Sequence, residues 1–235
     1  MKKYLSILMV VAMLFSFAAC SNNAKSTEPE TTANTTEMQK TENTEASASV
    51  SGKTLVVYFG VPEDVDTNGA DAVAGASVVV KDGEKVGNLQ YVADIIQKNT
   101  GADVFRIEPK IPYNTNHEEL VDLAKEEQNS NARPQIKNSI ENFEQYDTVF
   151  VGYPNWWGDM PMILYTFFDT YDFSGKTIIP FNAHGGSGFS NTINTIKDLE
   201  PNANVNDDGY TVSRNNVNES ESEIIAWLDD LGYNK

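Results

Sequence analysis

Thr148-Val149-Phe150-Val151-Gly152-Tyr153-Pro154-Asn155-Trp156-Trp157-Gly158-Asp159-Met160-Pro161 is the stretch that decides how this chain folds. Its first five residues are mostly apolar and β-branched and stop at a glycine, the make-up of a short buried strand. The strand empties into a loop bounded by Gly and Pro that carries two adjacent tryptophans. Neighbouring residues of an extended segment face apart, so at least one of the two indoles is expected to be exposed. An exposed Trp beside a cleft is a platform for a planar ring. Packing of both indoles as lids on the sheet edge is the other reading.

Working outward, the same strand signature recurs at Thr54–Phe59, Asp103–Ile107 and Thr177–Phe181, with a weak final strand at Tyr210–Ser213. Helical patterns fill the intervals. One begins near Gln90, buries Tyr91, Val92, Ile95 and Ile96, and closes at Asn99-Thr100-Gly101. Others are expected over Asn116–Gln128, Arg133–Glu144, Met160–Asp169, Ser190–Leu199 and Glu219–Leu231. Strands and helices in alternation, with near-continuous apolar strands, predict an α/β fold with a doubly wound parallel sheet covered on both faces. Such sheets bind ligands outside the carboxyl ends of their strands. The loops after the first, third and fourth strands are therefore the places where chemistry is expected.

The loop after the fourth strand reads Phe181-Asn182-Ala183-His184-Gly185-Gly186-Ser187-Gly188-Phe189-Ser190. Three glycines among four residues let backbone N–H groups approach a ligand and form a donor nest. An ordinary flexible turn is the bland alternative. Phe189 stands where a G-x-S-x-G nucleophile elbow needs its last glycine, which argues against a serine hydrolase. His117-Glu118-Glu119 is not H-E-x-x-H and reads as a solvated helix start.

Taken together, Val56-Val57-Tyr58-Phe59, the Val151–Pro161 run and Pro180–Phe189 resemble the flavodoxin family, in the branch common in anaerobic bacteria. Tyr171-Asp172-Phe173-Ser174-Gly175-Lys176-Thr177 fits that branch too, and the resemblance covers Lys53 to Lys235. It implies a five-stranded sheet of order 2-1-3-4-5 with FMN at the strand ends. The Pro154–Gly158 loop (Pro154, Asn155, Trp156, Trp157, Gly158) would flank the isoalloxazine on one side, with either Trp stacked on it. The loop of His184, Gly185, Gly186, Ser187, Gly188 and Phe189 would flank the other. No firm catalytic residue is implied, with His184 as a candidate proton donor.

The pattern breaks after the first strand. Flavodoxins carry there a hydroxyl-rich phosphate loop that opens a helix, whose N-terminus receives the FMN phosphate. Here Gly60 is followed by an insertion, Val61–Glu84, in which Ala76–Val80 and Lys85-Val86 suggest a hairpin around Asp82-Gly83. Gly87 and Asn88 fall where the family's Gly-Asn stands. Glu84, Val86 and Leu89 take the hydroxyl positions, and Glu84 would set a carboxylate near the phosphate. Ser77 or Thr67 could supply new contacts.

Composition bounds the remaining choices. The 235 residues carry 34 Asp and Glu against 17 Lys and Arg, a formal charge of −17. That argues against nucleic acid, whose binding rests on Lys and Arg. One cysteine and two histidines give no disulfide framework and no Cys- or His-rich metal site. Lys2 and Lys3 precede an apolar run, Tyr4–Ala19, laid out like a secretory signal peptide. The run ends Phe17-Ala18-Ala19-Cys20-Ser21, which resembles a bacterial lipobox with Cys20 as the lipidated residue. An uncleaved membrane anchor, and a chance cysteine, are the alternatives. Ser21 to about Gly52 is polar and free of aromatic residues, and reads as a flexible tether. The expected organisation is a leader over 1–19, Cys20 and tether over 20–52, and one domain over 53–235. Leader and tether hold only four of the bases and five of the acids, so the acidity belongs to the domain.

Three functions fit these residues. The first is an FMN-binding electron-transfer protein tethered outside the cytoplasm, with a redox partner protein or a small electron acceptor. The second is an FMN-dependent reductase of quinone or NAD(P)H type, although no G-x-G-x-x-G fingerprint is present. The third is a flavodoxin-fold lipoprotein that has lost its flavin and serves as a binding module.

Overall fold

A computed structural model describes residues 52–62, 77–81 and 83–233. The leader, Cys20, nearly all of the tether and Thr67 lie outside the described residues. Eight strands and five helices follow along the described chain: β1 (Lys53–Tyr58), β2 (Val78–Lys81), β3 (Glu84–Gly87), α1 (Asn88–Thr100), β4 (Asp103–Arg106), α2 (His117–Ser130), β5 (Tyr146–Pro154), α3 (Met162–Thr170), β6 (Thr177–His184), α4 (Thr192–Leu199), β7 (Asn204–Val205), β8 (Tyr210–Ser213) and α5 (Glu221–Asp230).

The main sheet runs β4-β1-β5-β6, and β6 carries both β7 and β8 on its outer edge. Every pairing is parallel. The fifth position of the expected 2-1-3-4-5 order is thus filled by two short strands rather than one. Their register explains the split. β7 pairs with Thr177 and Ile178 at the start of β6, whereas β8 pairs with Phe181–His184 at its end.

Alternation along the strands sorts the core into two layers. Leu55, Val57 and Phe59 share one cluster with Val149, Val151 and Tyr153, under Leu120 of α2, Ile163, Leu164 and Phe167 of α3, and Ile196 of α4. Val56 and Tyr58 face the other side, with Phe150, Ile179 and Phe181, under Leu89, Val92 and Ile96 of α1 and Ile224 and Leu228 of α5. The sheet is therefore covered on both faces, as parallel strands require.

Two features depart from the simplest alternation. The insertion does form a hairpin, with Val79 opposite Val86 and Lys81 opposite Glu84, as a separate two-stranded sheet. Gly83 has φ +82°, which suits a two-residue hairpin turn. The helix expected over Arg133–Glu144 does not form. Exposed and half-buried residues alternate there instead, the period of an extended chain. Pro134 disfavours helix at the residue before it, and the segment finds its partners just after β4. Lys110 N donates to Gln135 O, Lys137 N to Glu108 O, and Asn138 bonds both Arg106 O and Glu108 N. Only Phe143–Gln145 turns, as a single 3-10 turn.

Candidate functional site

β1, β5 and β6 end side by side, and the loops that leave them enclose a cavity of about 250 Å³. β5 and β6 both run further than the sequence suggests, so Tyr153, Pro154, Asn182, Ala183 and His184 belong to strands. That fixes their backbones before either loop begins.

Asn155 laces the two loops together. Its backbone N–H donates to Ala183 O, its Nδ2 to Gly188 O and Ser190 Oγ, and its Oδ1 accepts from Gly158 N. Trp156 and Asp159 exchange backbone hydrogen bonds at 2.9 and 3.1 Å, closing a tight turn with Trp157 and Gly158 at its tip. Both tip residues have positive φ, +55° and +79°, the signature of a type I′ turn. Gly158 accepts this freely. Trp157 does not, since a bulky side chain in the left-handed region costs about 1–3 kcal/mol.

The two tryptophans differ sharply. Trp156 is half-buried and packs edge-on against Phe59 at 5.7 Å and Tyr113 at 5.8 Å, which also touch each other. Tyr113 in turn donates to Glu127. Trp157 is 53% exposed. Its indole N–H donates to Val121 O of α2, and Lys125 Nζ lies 5.1 Å from its ring. Gln128 Nε2 holds its carbonyl. The turn strain is thus offset by bonds that aim one indole at the cavity rim.

His184 closes β6. Its Nδ1 accepts the N–H of Gly186 at 2.8 Å, so the proton of the neutral ring sits on Nε2. Burial lowers its pKa below the usual histidine value. Among the loop glycines, Gly186 N is spent on His184 and Gly188 O is held by Asn155 and Asn182. Phe189 packs toward the first core cluster.

The lining sorts by chemistry. α2 contributes Leu120, Val121 and Ala124 beside Trp156 and Trp157, an apolar wall. Ser77, Asn88, His184, Gly185 and Arg214 make the polar part. His117, Pro154, Asn155, Leu89 and Ala183 complete the wall, and no Asp or Glu is among these residues. Gly60 and Gly87 sit in a narrow cleft that shares Ser77, Asn88, Leu89 and Pro154 with the cavity. Of the residues singled out from sequence, Gly158, Gly186, Ser187, Gly188 and Phe189 line neither space; they build the loops behind it.

α1 points its N-terminus here. Gly87 caps it in an extended conformation, with no side-chain cap and no acid in the first turn. The first helical N–H, that of Asn88, donates to Ser77 O of the hairpin at 2.9 Å. Asn88 is 2% exposed, and its Oδ1 has no hydrogen-bond partner among the described residues. Leu89 is buried in the core, Val86 is half-buried and Glu84 is exposed on the hairpin. None of the three supplies a hydroxyl, and Glu84 does not reach the cavity lining. Arg214 and the apolar residues of α2 were not singled out by sequence. The signal for Arg214 was its position, directly after a strand that ends at the ligand-binding edge.

A family model described as flavodoxin matches residues 78–231. Two crystal structures of proteins named provisionally as flavoproteins are similar to this chain. The one from Bacteroides eggerthii is 28% identical, covering 76% of this chain and 96% of its own, with a TM-score of 0.55. The one from Bacteroides uniformis is 25% identical over 72% and 96%, with a TM-score of 0.51. A flavoprotein from Lactobacillus acidophilus, solved in complex with FMN, is 16% identical over 72% and 97% with a TM-score of 0.50, a likeness of fold. No match is found among curated proteins.

Proposed function

The chain belongs to the flavodoxin family, and from that premise we propose that it binds FMN in the strand-end cavity and carries electrons outside the cytoplasm. The cavity supports this reading through its chemistry. An exposed indole and an apolar helix face suit a planar ring system, and a polar part with no carboxylate among the described residues suits a phosphate ester. The orphaned Asn88 Oδ1 asks for a donor such as a polyol hydroxyl. The volume falls just under the roughly 300–1,000 Å³ of small-molecule sites, so part of a mononucleotide would stand in solvent. Exposure of one ring edge is what outer-surface electron exchange needs.

FMN supplies one- and two-electron redox chemistry when bound. The chain's own residues hold and screen it. Trp157 and the α2 wall exclude water, and the Asn155 lace fixes the distance between the two loops. His184 keeps Nε2–H as its donor group. As a proton donor it would have to carry a second proton on Nδ1 and give up the Gly186 bond, which weighs against the reductase reading. Exposed Glu118, Glu119, Asp122 and Glu126 on α2 flank the cavity wall, a surface that suits a positively charged redox partner.

Titration of FMN against the full-length protein, followed by tryptophan fluorescence and visible absorption, tests the reading. Stoichiometric binding with quenching is expected. Absence of binding at near-millimolar FMN would leave a binding module on a flavodoxin frame. Tethering rests on Cys20 and the leader. Labelled palmitate should enter the wild-type chain in bacterial cells and not Cys20→Ser.

A further inference from the structure

We propose that Arg214 anchors the phosphate of the bound mononucleotide, replacing the hydroxyls missing after β1; the assignment rests on the FMN reading above. Arg214 directly follows β8, and its backbone N–H donates to His184 O, which holds it at the ligand-binding edge of the sheet. Its guanidinium lies against Gly185. A Cβ there would come within 3.5 Å of Cζ and 3.6 Å of Nη1. The side chain lines the cavity. Among the described residues the guanidinium has no hydrogen bond and no ion pair, in a chain with twice as many acids as bases. An unpaired guanidinium in a cavity with no carboxylate among its described lining residues is a site for an anion.

The second observation is the N-terminus of α1, which has no side-chain cap, spends only its first N–H on Ser77 O and borders the same cavity through Asn88. Helix N–H groups and the helix dipole favour a phosphate there. The family's hydroxyl positions hold Glu84, Val86 and Leu89, and the polar side chains beside the helix start, Ser77 and Asn88, are neutral, so they leave the phosphate charge without a cationic partner. The insertion also explains how an arginine from the far edge comes near. Its strand β2 packs against the 3-10 turn Val217–Glu219, just after Arg214. The hairpin thereby ties the start of α1 to the segment that carries the guanidinium, through Ser77 O on Asn88 N. A planar fork of donors can grip a phosphate bidentately, which single hydroxyls cannot.

The test compares FMN with riboflavin, which lacks only the phosphate, on full-length wild type, Arg214→Ala and Arg214→Lys. Wild type is expected to bind FMN more tightly than riboflavin. Arg214→Ala should lose about ten- to a hundred-fold in FMN affinity, with riboflavin affinity within about twofold, and Arg214→Lys should recover part of the loss. Retained riboflavin binding also reports that the variant folds. Unchanged FMN affinity in Arg214→Ala overturns the assignment, as does an equal loss for both flavins, which would place Arg214 against the ring or in the scaffold. Wild type that binds neither flavin overturns the FMN reading and the assignment with it.

Discussion

The backbone N–H of Gly186 donates to Nδ1 of His184 across 2.8 Å. That bond sets the tautomer, and it is lost when the ring takes a second proton. Burial already lowers the His184 pKa from 6.5. The folded state prefers the neutral ring, so this contribution to stability is complete above about pH 6.5 and fades as pH falls through the lower folded value. Imidazole ¹⁵N NMR should show the Nε2–H form at pH 7.5, with a titration midpoint below 6.5. A midpoint at or above 6.5 would mean the Gly186 bond does not persist in solution.

Glu200 shifts the other way. Burial first, and then the carboxylates of Asp172 and Asp169, push it up to about 7. A carboxyl raised in the fold favours the protonated protein, so the stability it contributes is full below about pH 4.5 and is lost as pH rises toward 7. Glu200 is only half-buried, so solvent screening reduces the effect. Glu200→Gln should melt above wild type at pH 8 and match it at pH 4.5. Equal melting temperatures at pH 8 would show that Glu200 titrates normally.

Gly152 is fixed by its neighbour on β6. A Cβ there would lie 2.2 to 2.9 Å from atoms of the Phe181 ring, which is fully buried. The ring cannot yield without moving the second core layer. Gly152→Ala should lower stability by about 1–3 kcal/mol, the cost of overpacking a dense core, read as a lower urea midpoint at unchanged slope. Adding Phe181→Leu should recover part of the loss. No recovery would place the strain in the backbone.

Much of this architecture is legible from local signals. Four strands and a weaker fifth, the Asp82-Gly83 hairpin and the helix that buries Tyr91, Ile95 and Ile96 are marked by local composition, periodicity and turn chemistry. Arg133–Glu144 misleads, because its apolar spacing fits a helix, while the partners that draw it out extended are Glu108 and Lys110, distant in sequence. The site divides the same way. Trp157, Asn88 and His184 sit in motifs beside strand ends. Leu120, Val121 and Ala124 look like ordinary core-facing helix residues, and only the tertiary contact of Val121 with Trp157 makes them a cavity wall. Sequence cannot tell Trp156 from Trp157, since the choice depends on which indole meets Phe59 and Tyr113.

That choice gives the sharpest contrast between two neighbouring residues. Trp156 is part of an edge-to-face trio with Phe59 and Tyr113, so Trp156→Ala removes packed area and should cost about 2–4 kcal/mol of stability. Trp157 contributes little burial and carries left-handed strain. Trp157→Gly gives up the Val121 bond but releases that strain, so its melting temperature should stay close to wild type. FMN affinity should respond in the opposite sense, falling at least about tenfold in Trp157→Gly if the indole lies on the ring. Calorimetric melting and flavin titration on the same samples check both halves. A stable Trp157→Gly that binds FMN as tightly as wild type would remove the indole from the site and leave its strained turn without a functional reason.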